Sequence, residues 1–381
     1  MRLAADWLAR AETQAVCAML EGGGHRALFV GGCVRNALLG MAVTDIDIAT
    51  DARPEAVLQL AQAAGLKAVP TGIEHGTVTV VSAGHAHEVT TFRRDVETFG
   101  RHATVAFSTD VAEDAARRDF TMNALYATPG GEVVDPLGTG LTDLTARRLR
   151  FVGEARARIA EDYLRILRFF RFHAWYADPE AGFDPDGLAA CAELSDGIES
   201  LSRERVGAEM RKLLSAPDPA PALASMGRTG VLAHVLPGAD PAPLAVLVHL
   251  EDGMTPRWLR RLALLAGPAA GEGLRLSRAD TRALATLREE IGSLRPAAEL
   301  GYRYGAEVAG DILLCRAALT GAPLPDGWRD AVAEGAAAVF PVRAADLMPA
   351  LSGPALGQRL AEIEARWIAS GFRLGRDELL D

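Results

Sequence analysis

At about residue 150 the chain changes its repeat, and that change limits the folds open to it. From about residue 26, short β-rich runs (ALFV, DIDIA, GTVTVV, HEVTTF, EVVD, RLRFV) alternate with helical stretches such as VRNALLG and PEAVLQLAQAAG. Beyond 150 the strand pattern stops. Amphipathic stretches then continue to the end, broken by SAPDPAPA, PGADPAP and TGAPLPDG. The pattern predicts a mixed α/β unit followed by an all-helical half. Residues 3–21 carry apolar side chains at helical spacing and are stopped by GGG, which predicts an opening helix. The Pro/Gly-rich segments mark subdivisions near 216 and 320, or equally loops inside one helical array. No repeat of fixed period is present.

Composition narrows the class further. At 381 residues, 49% hydrophobic and 24% charged, the chain is long enough for two or three compact units and is not a disordered protein. No apolar run approaches the ~20 residues of a membrane span, and the first residues lack a secretory signal, so the expected location is the cytoplasm, with no membrane partner. Cys17, Cys33, Cys191 and Cys315 are far apart and form no CxxC pair, which argues against disulfides and structural zinc. A formal net charge of −10 argues against a protein that coats nucleic acid nonspecifically, while leaving room for a local site. Only Lys67 and Lys212 are lysines; the other 38 cations are arginines, a bias that GC-rich coding also produces. Eight arginines between Arg147 and Arg171 share that stretch with only three acids, Glu154, Glu161 and Asp162. That segment reads as locally positive.

The stretch LFVGGCVRNALLGMAVTDIDIAT (28–50) carries the chemistry. In a strand, Asp45 and Asp47 share one face and Ile46 and Ile48 the other. Two such acids can share a Mg²⁺ ion, which is held by one or two carboxylates together with substrate phosphates and water. Taken alone, the pair also fits a strand edge whose acids face water. Upstream, Gly31 and Gly32 follow an apolar strand and open a helix, so bare backbone N–H groups can approach a phosphate, with Arg35 one turn in.

In that order, GGCVRNALLG and TDIDIAT resemble the active-site signature of the polymerase β-like nucleotidyltransferases, in the class that holds bacterial CCA-adding enzymes and poly(A) polymerases. Further motifs of that class follow in sequence: HEVTTFRRD (87–95), RRDFTMNALY (117–126), DPLGTGLTDLTARRLRFVG (135–153), EDYLRILRFFRF (161–172) and SRERVGAEMRKLL (202–214). The resemblance implies an α+β fold: a nucleotidyltransferase head with a mixed or antiparallel sheet over 1–146, a helical neck for base recognition over 147–215, and a helical body and tail for tRNA over 216–381. It implies CTP and ATP as nucleotides, the 3′ end of tRNA as partner and Mg²⁺ as cofactor.

By the same resemblance, Asp45 and Asp47 carry the metal, with Glu88 as third carboxylate. Gly31, Gly32, Arg35 and Arg118 contact the nucleotide, while Asp119 and Asn123 fix local architecture. Asp162 and Arg165, three apart on an expected helix, present an acceptor beside a donor fork. Cytosine and adenine both offer an amino donor next to a ring-nitrogen acceptor, so this pair selects CTP and ATP without a template. Otherwise the two form a helical salt bridge worth roughly 0.2–0.5 kcal/mol. Arg168 and Arg171 contact the nucleotide's phosphates, and Phe169, Phe170 and Phe172 belong to the core.

Three features depart from the family pattern. The usual VRD is VRN, so Asn36 brings a hydrogen-bonding amide and no charge. In RRDVETFGRHATVAF (93–107), Phe99 and Ala103 stand where an acid and a proline are usual. No His-Asp dipeptide occurs, so an attached phosphohydrolase domain is not expected. The expected activity is CCA addition to tRNA. The alternatives are a poly(A) polymerase, a partial CC- or A-adding enzyme, a noncatalytic RNA-binding protein, and a small-molecule nucleotidyltransferase. The oligomeric state is not legible.

Overall fold

The computed structural model describes residues 1–99, 102–265, 267 and 270–381; the side chains of 95–99 and 102–105, and with them Phe99 and Ala103, lie outside the described residues. The chain forms two compact units, Met1–Val235 and Leu236–Asp381. Residues 147–235 therefore belong to the same unit as the strand-rich head.

Among the described residues, the first unit contains nine strands: β1 (Leu28–Val30), β2 (Asp47–Thr50), β3 (Lys67–Gly72), β4 (Thr77–Ser82), β5 (His85–Thr91), β6 (Arg93–Phe99), β7 (His102–Phe107), β8 (Tyr126–Ala127) and β9 (Val133–Val134). Seven form one mixed sheet in the order β3-β4-β5-β2-β1-β8-β9, and β6 and β7 pair as a separate hairpin. Only β2 and β5 run parallel. The expected mixed sheet is present. The expected strand in RLRFV is not: Leu149 and Phe151 alternate inward, but the segment makes only a single bridge, Phe120 to Phe151.

Helices α1 (Ala11–Gly22), α2 (Gly32–Leu38), α3 (Pro54–Ala63), α4 (Val111–Ala116) and α5 (Gly140–Thr145) accompany the sheet. The chain stops α1 at the expected glycines, and Pro54 opens α3 at a position where its missing N–H costs nothing. Apolar faces of α1 and α3 cover β3, β4 and β5, burying Val78, Val80 and Val89 completely. The same unit continues as α6 (Ala155–Glu161), α7 (Leu164–Tyr176), α8 (Pro185–Glu193), α9 (Arg203–Leu214), α10 (Ala220–Arg228) and α11 (Val231–Val235). Phe169, Phe170 and Phe172 on α7 are buried and meet Phe120 and Phe183 through ring contacts. They are core residues, as expected.

The second unit is helical: α12 (Leu244–Leu250), α13 (Trp258–Leu265), α14 (Ala270–Gly273), α15 (Arg278–Ile291), α16 (Ala297–Thr320), α17 (Trp328–Ala337), α18 (Ala344–Leu347), α19 (Gly353–Ala369) and α20 (Arg376–Leu380). The two glycines Gly301 and Gly335 let α16 and α17 meet backbone to backbone, since a Cβ at either would fall 2.2 Å from the Val332 carbonyl oxygen or 1.8 Å from that of Ala298. Among the described residues, no helix is long and apolar enough to cross a membrane.

Buried charge organises this unit as well. Arg260 Nε donates to Glu251 Oε1 at 2.7 Å and its Nη1 to Asp311 Oδ1 at 2.9 Å, while Arg261 Nη2 donates to Glu251 Oε2 at 2.6 Å. All four side chains are buried. Removing Glu251 takes a charged partner from two buried guanidinium groups at once, so Glu251→Ala should lower unfolding stability by about 3–5 kcal/mol. Urea denaturation of the full chain checks this.

Candidate active site

The parallel pairing of β2 with β5 sets Asp47 directly beside Glu88. Neighbouring strands are about 4.8 Å apart, so two carboxylates are brought close with no intervening base. Burial, and then the charge of Glu88, push Asp47 up to about 6, with Arg118 acting in the other direction and Asp45 adding to the rise. Asp45 lies two residues ahead of β2, outside the strand, where it is exposed and its Oδ2 accepts from Thr44 Oγ1 at 3.0 Å. The expected strand periodicity thus begins at Asp47 and does not include Asp45.

Antiparallel pairing of β1 with β2 sets the glycine turn next to these acids. Gly31 has φ of 71°, in the left-handed region open to glycine, and a Cβ there would lie 3.3 Å from Arg118 Nη1. Arg118 is aimed at the turn by Tyr126 Oη, which accepts from Nε at 3.1 Å, and by Asp114 Oδ2, which accepts from Nη2 at 3.0 Å. Although burial opposes its charge, Arg118 and Arg117 hold the Asp114 carboxyl at about 2.

Arg35 is buried, and among the described residues no carboxylate pairs with it. Its Nε and Nη2 donate to Asn36 Oδ1 at 3.1 and 2.7 Å, Nη2 also donates to Tyr176 Oη at 2.8 Å, and Nη1 donates to Asn123 Oδ1. The guanidinium stacks 3.9 Å from the Tyr176 ring centroid. Asn36 therefore orients Arg35 without neutralising it, and its Nδ2 donates to the Ala42 carbonyl at 3.0 Å, tying α2 to the loop that leads to Asp45.

Asn123 Nδ2 donates to Asp119 Oδ1, and Asp119 Oδ2 accepts from Arg168. A continuous chain of polar contacts thus joins Arg35 to Arg168. Burial works against the Asp119 charge, but Arg168 and its hydrogen bonds hold the carboxyl below its usual range.

Asp162 and Arg165 do not share a helix face. Asp162 lies between α6 and α7 with φ of −155°, its Oδ1 accepting from the Leu164 amide at 3.1 Å and its Oδ2 from Arg205 Nη2 at 2.7 Å. Arg165 Nη1 instead donates to Glu161 and to the Arg158 carbonyl. Neither the expected side-by-side pair nor a mutual salt bridge forms, because the side chain of Asp162 caps the first turn of α7 from outside it.

The local positive charge read between 147 and 171 is largely neutralised. Arg150 pairs with Asp143, Arg156 with Glu193, Arg158 and Arg165 with Glu161, Arg168 with Asp119, and Arg171 with Glu209.

A cleft of about 500 Å³ is lined by Gly32, Arg35, Asp45, Asp47 and Arg171. Gly31, Glu88, Arg118, Asp162, Arg165 and Arg168 are not part of its lining; the first three flank Asp47, and the last three lie along α6 and α7. The opposite wall adds Trp175, Tyr176, Arg211 and Lys212. These four were not singled out from the sequence, because only folding brings α7 and α9 to a loop more than a hundred residues away. Cys33 also lines the cleft, but its Sγ donates to the Val30 carbonyl and burial pushes the thiol up to about 11, so it is not a reactive thiolate.

Among the described residues, no three His, Cys, Asp or Glu side chains gather into a ready-made metal cage. Crowded carboxylates facing a cleft with cations on its other side could supply part of a coordination sphere, as suits an ion that arrives with phosphate oxygens. A glycine turn and paired acids on one mixed sheet, with Arg35 and Arg118 beside the turn, define a nucleotidyltransferase head.

Residues 27–150 match the family model described as the Poly A polymerase head domain, and residues 182–242 match that of a probable RNA and SrmB-binding site of polymerase A. The mitochondrial CCA tRNA nucleotidyltransferase 1 of Mus musculus is 32% identical over 379 residues, covering 93% of this chain and 86% of the mouse protein. The Homo sapiens protein of the same name is 42% identical over a shorter stretch, 50% of this chain and 44% of its own length. The crystal structure of the Bacillus stearothermophilus CCA-adding enzyme in complex with CTP superposes with a TM-score of 0.73 at 31% identity, covering 94% of this chain and 92% of that one. The chain belongs to the CCA-adding enzyme family of nucleotidyltransferases. Enzymes of this family are generally dependent on a divalent metal.

The raised Asp47 carries a sign that can be tested. An acid that ionises near 3.8 when unfolded and near 6 when folded penalises the native state increasingly across that window, and fully above it. Asp47→Asn should therefore melt at a higher temperature than the parent at pH 8, with the difference vanishing below about pH 4. Added Mg²⁺ should raise the melting temperature of the parent at pH 8 and that of the variant much less. Thermal melts by circular dichroism across pH read both effects.

Proposed function

We propose that this protein is a CCA-adding tRNA nucleotidyltransferase, which adds or repairs the 3′-terminal CCA of tRNA from CTP and ATP and releases pyrophosphate. The observation that carries this reading is Asp47 held beside Glu88, with Asp45 close by, in a cleft whose other side bears cations. Residues 1–146 would catalyse, 147–215 would read the nucleotide, and 216–381 would hold tRNA.

The ion that fits best is Mg²⁺, held by Asp45 and Asp47 with Glu88 beside them. When bound it would acidify the attacking hydroxyl and neutralise charge on the phosphates. The chain's own groups do the rest. Gly31 and Gly32 admit the phosphates close to the backbone, and Arg35 and Arg118 meet them with charge. The terminal RNA hydroxyl loses its proton to solvent water, its oxygen bonds the α-phosphorus in line, and the bond to the bridging oxygen breaks to free pyrophosphate.

Base selection falls to Asp162 and Arg165, with Arg168 and Arg171 toward the phosphates. Each Asp162 oxygen keeps a second lone pair beyond its contacts with Leu164 and Arg205, so it can accept from a cytosine or adenine amino group. Arg165 Nη2 donates to the Arg117 carbonyl at 3.4 Å, which ties its fork to the RRD motif.

The deciding experiment incubates the protein with tRNA lacking its 3′ end and with labelled CTP or ATP separately. Addition of C followed by A is expected. A-tailing of arbitrary RNA without use of CTP would overturn the reading in favour of a poly(A) polymerase, and tRNA binding without any turnover would favour a noncatalytic protein. In the same assay Asp162→Ala should reduce discrimination between CTP and UTP by roughly tenfold or more, the value of a paired hydrogen-bond readout of a base.

A further inference from the structure

The wall of the cleft opposite the aspartates carries two further cations, Arg211 and Lys212. Arg211 and Lys212 lie on the last turn of α9, and Arg171 on α7 reaches Glu209 one turn earlier on α9. Trp175 Nε1 donates to the Lys212 carbonyl at 2.8 Å, which fastens α7 to α9 at the point where these cations line the cleft. Cations near a helix C-terminus complement the helix dipole, but that favours any direction into solvent and does not account for their convergence on the carboxylate cleft. Among the described residues, no carboxylate forms an ion pair with Lys212, in a chain that sets most of its neck arginines against acids.

We propose that Arg211 and Lys212, backed by Arg171 and Trp175, form a phosphate subsite that takes the terminal phosphates of the nucleoside triphosphate and then the departing pyrophosphate. The inference deepens the nucleotidyl-transfer reading and rests on it. Lysine suits this task because its ammonium is a point charge with rotatable donors and can follow a phosphate whose position changes as the bond breaks. A backbone phosphate at the RNA 3′ end offers the same chemistry. The cleft favours the nucleotide tail, since Gly32 and Arg35 line the same space.

The test compares the parent with the double variant Arg211→Gln/Lys212→Gln, both positions being exposed. Pyrophosphate binding to the full chain is measured by calorimetry, nucleotide KM by extension, and tRNA Kd by filter binding. The pyrophosphate Kd and the KM for both nucleotides should rise about tenfold, with the tRNA Kd held within about twofold. Lys212→Arg, which keeps the charge but in a rigid planar fork, should raise the pyrophosphate Kd less than the double variant does. A rise in the tRNA Kd alone overturns the proposal and gives these cations to an RNA phosphate, and no change in either arm, in a variant with the parent's melting temperature, overturns it too. Absence of tRNA extension by the parent would sink the nucleotidyl-transfer reading separately, because pyrophosphate binding is read without turnover.

Discussion

Two carboxylates in register on adjacent parallel strands set the terms for the rest of the head. Water would separate like charges so close; here β-sheet pairing holds them in place, and burial raises the cost of ionising Asp47. The surroundings moderate that cost without removing it. Arg118 approaches from the glycine turn, but Asp114 and Tyr126 hold it in place, so it eases the repulsion between the acids without capping them. Asp119 does the same for Arg168. The buried acids Asp114 and Asp119 thus act on arginines, and the half-buried Asp47 is left for a cation.

Arg35 shows a complementary device. A guanidinium with amide, phenol and aromatic partners keeps its whole charge while losing its freedom of orientation. Asn36 satisfies this arrangement with both ends of its amide, oxygen to Arg35 and nitrogen to Ala42. A carboxylate at that position could accept from Arg35 but could not donate to the carbonyl.

Local pattern in the sequence carried much of the head. The alternation in GTVTVV and HEVTTF became β4 and β5, and the glycine turn and the start of α2 lie where the sequence indicated. RLRFV shows the limit of that reasoning: its alternation does bury Leu149 and Phe151, yet period two reports an extended, half-buried segment and not a ladder. Spacing failed for Asp162 and Arg165 because it presumes one continuous helix, and the backbone breaks at Asp162. The partners that settle these side chains, Arg205 for Asp162 and Glu209 for Arg171, are 43 and 38 positions away. Nothing local in the sequence encodes such pairs, and the cationic cleft wall was hidden for the same reason.

The internal neutralisation of the arginine-rich neck affects how the molecule responds to electrolyte. Of the arginines between 147 and 171, only Arg147 and Arg148 are exposed without an acidic partner among the described residues. Side chains already engaged with carboxylates have few condensed counterions to displace when a polyanion docks. The 147–171 segment should therefore add little to the slope of log affinity against log ionic strength, and any steep dependence must arise elsewhere on the chain.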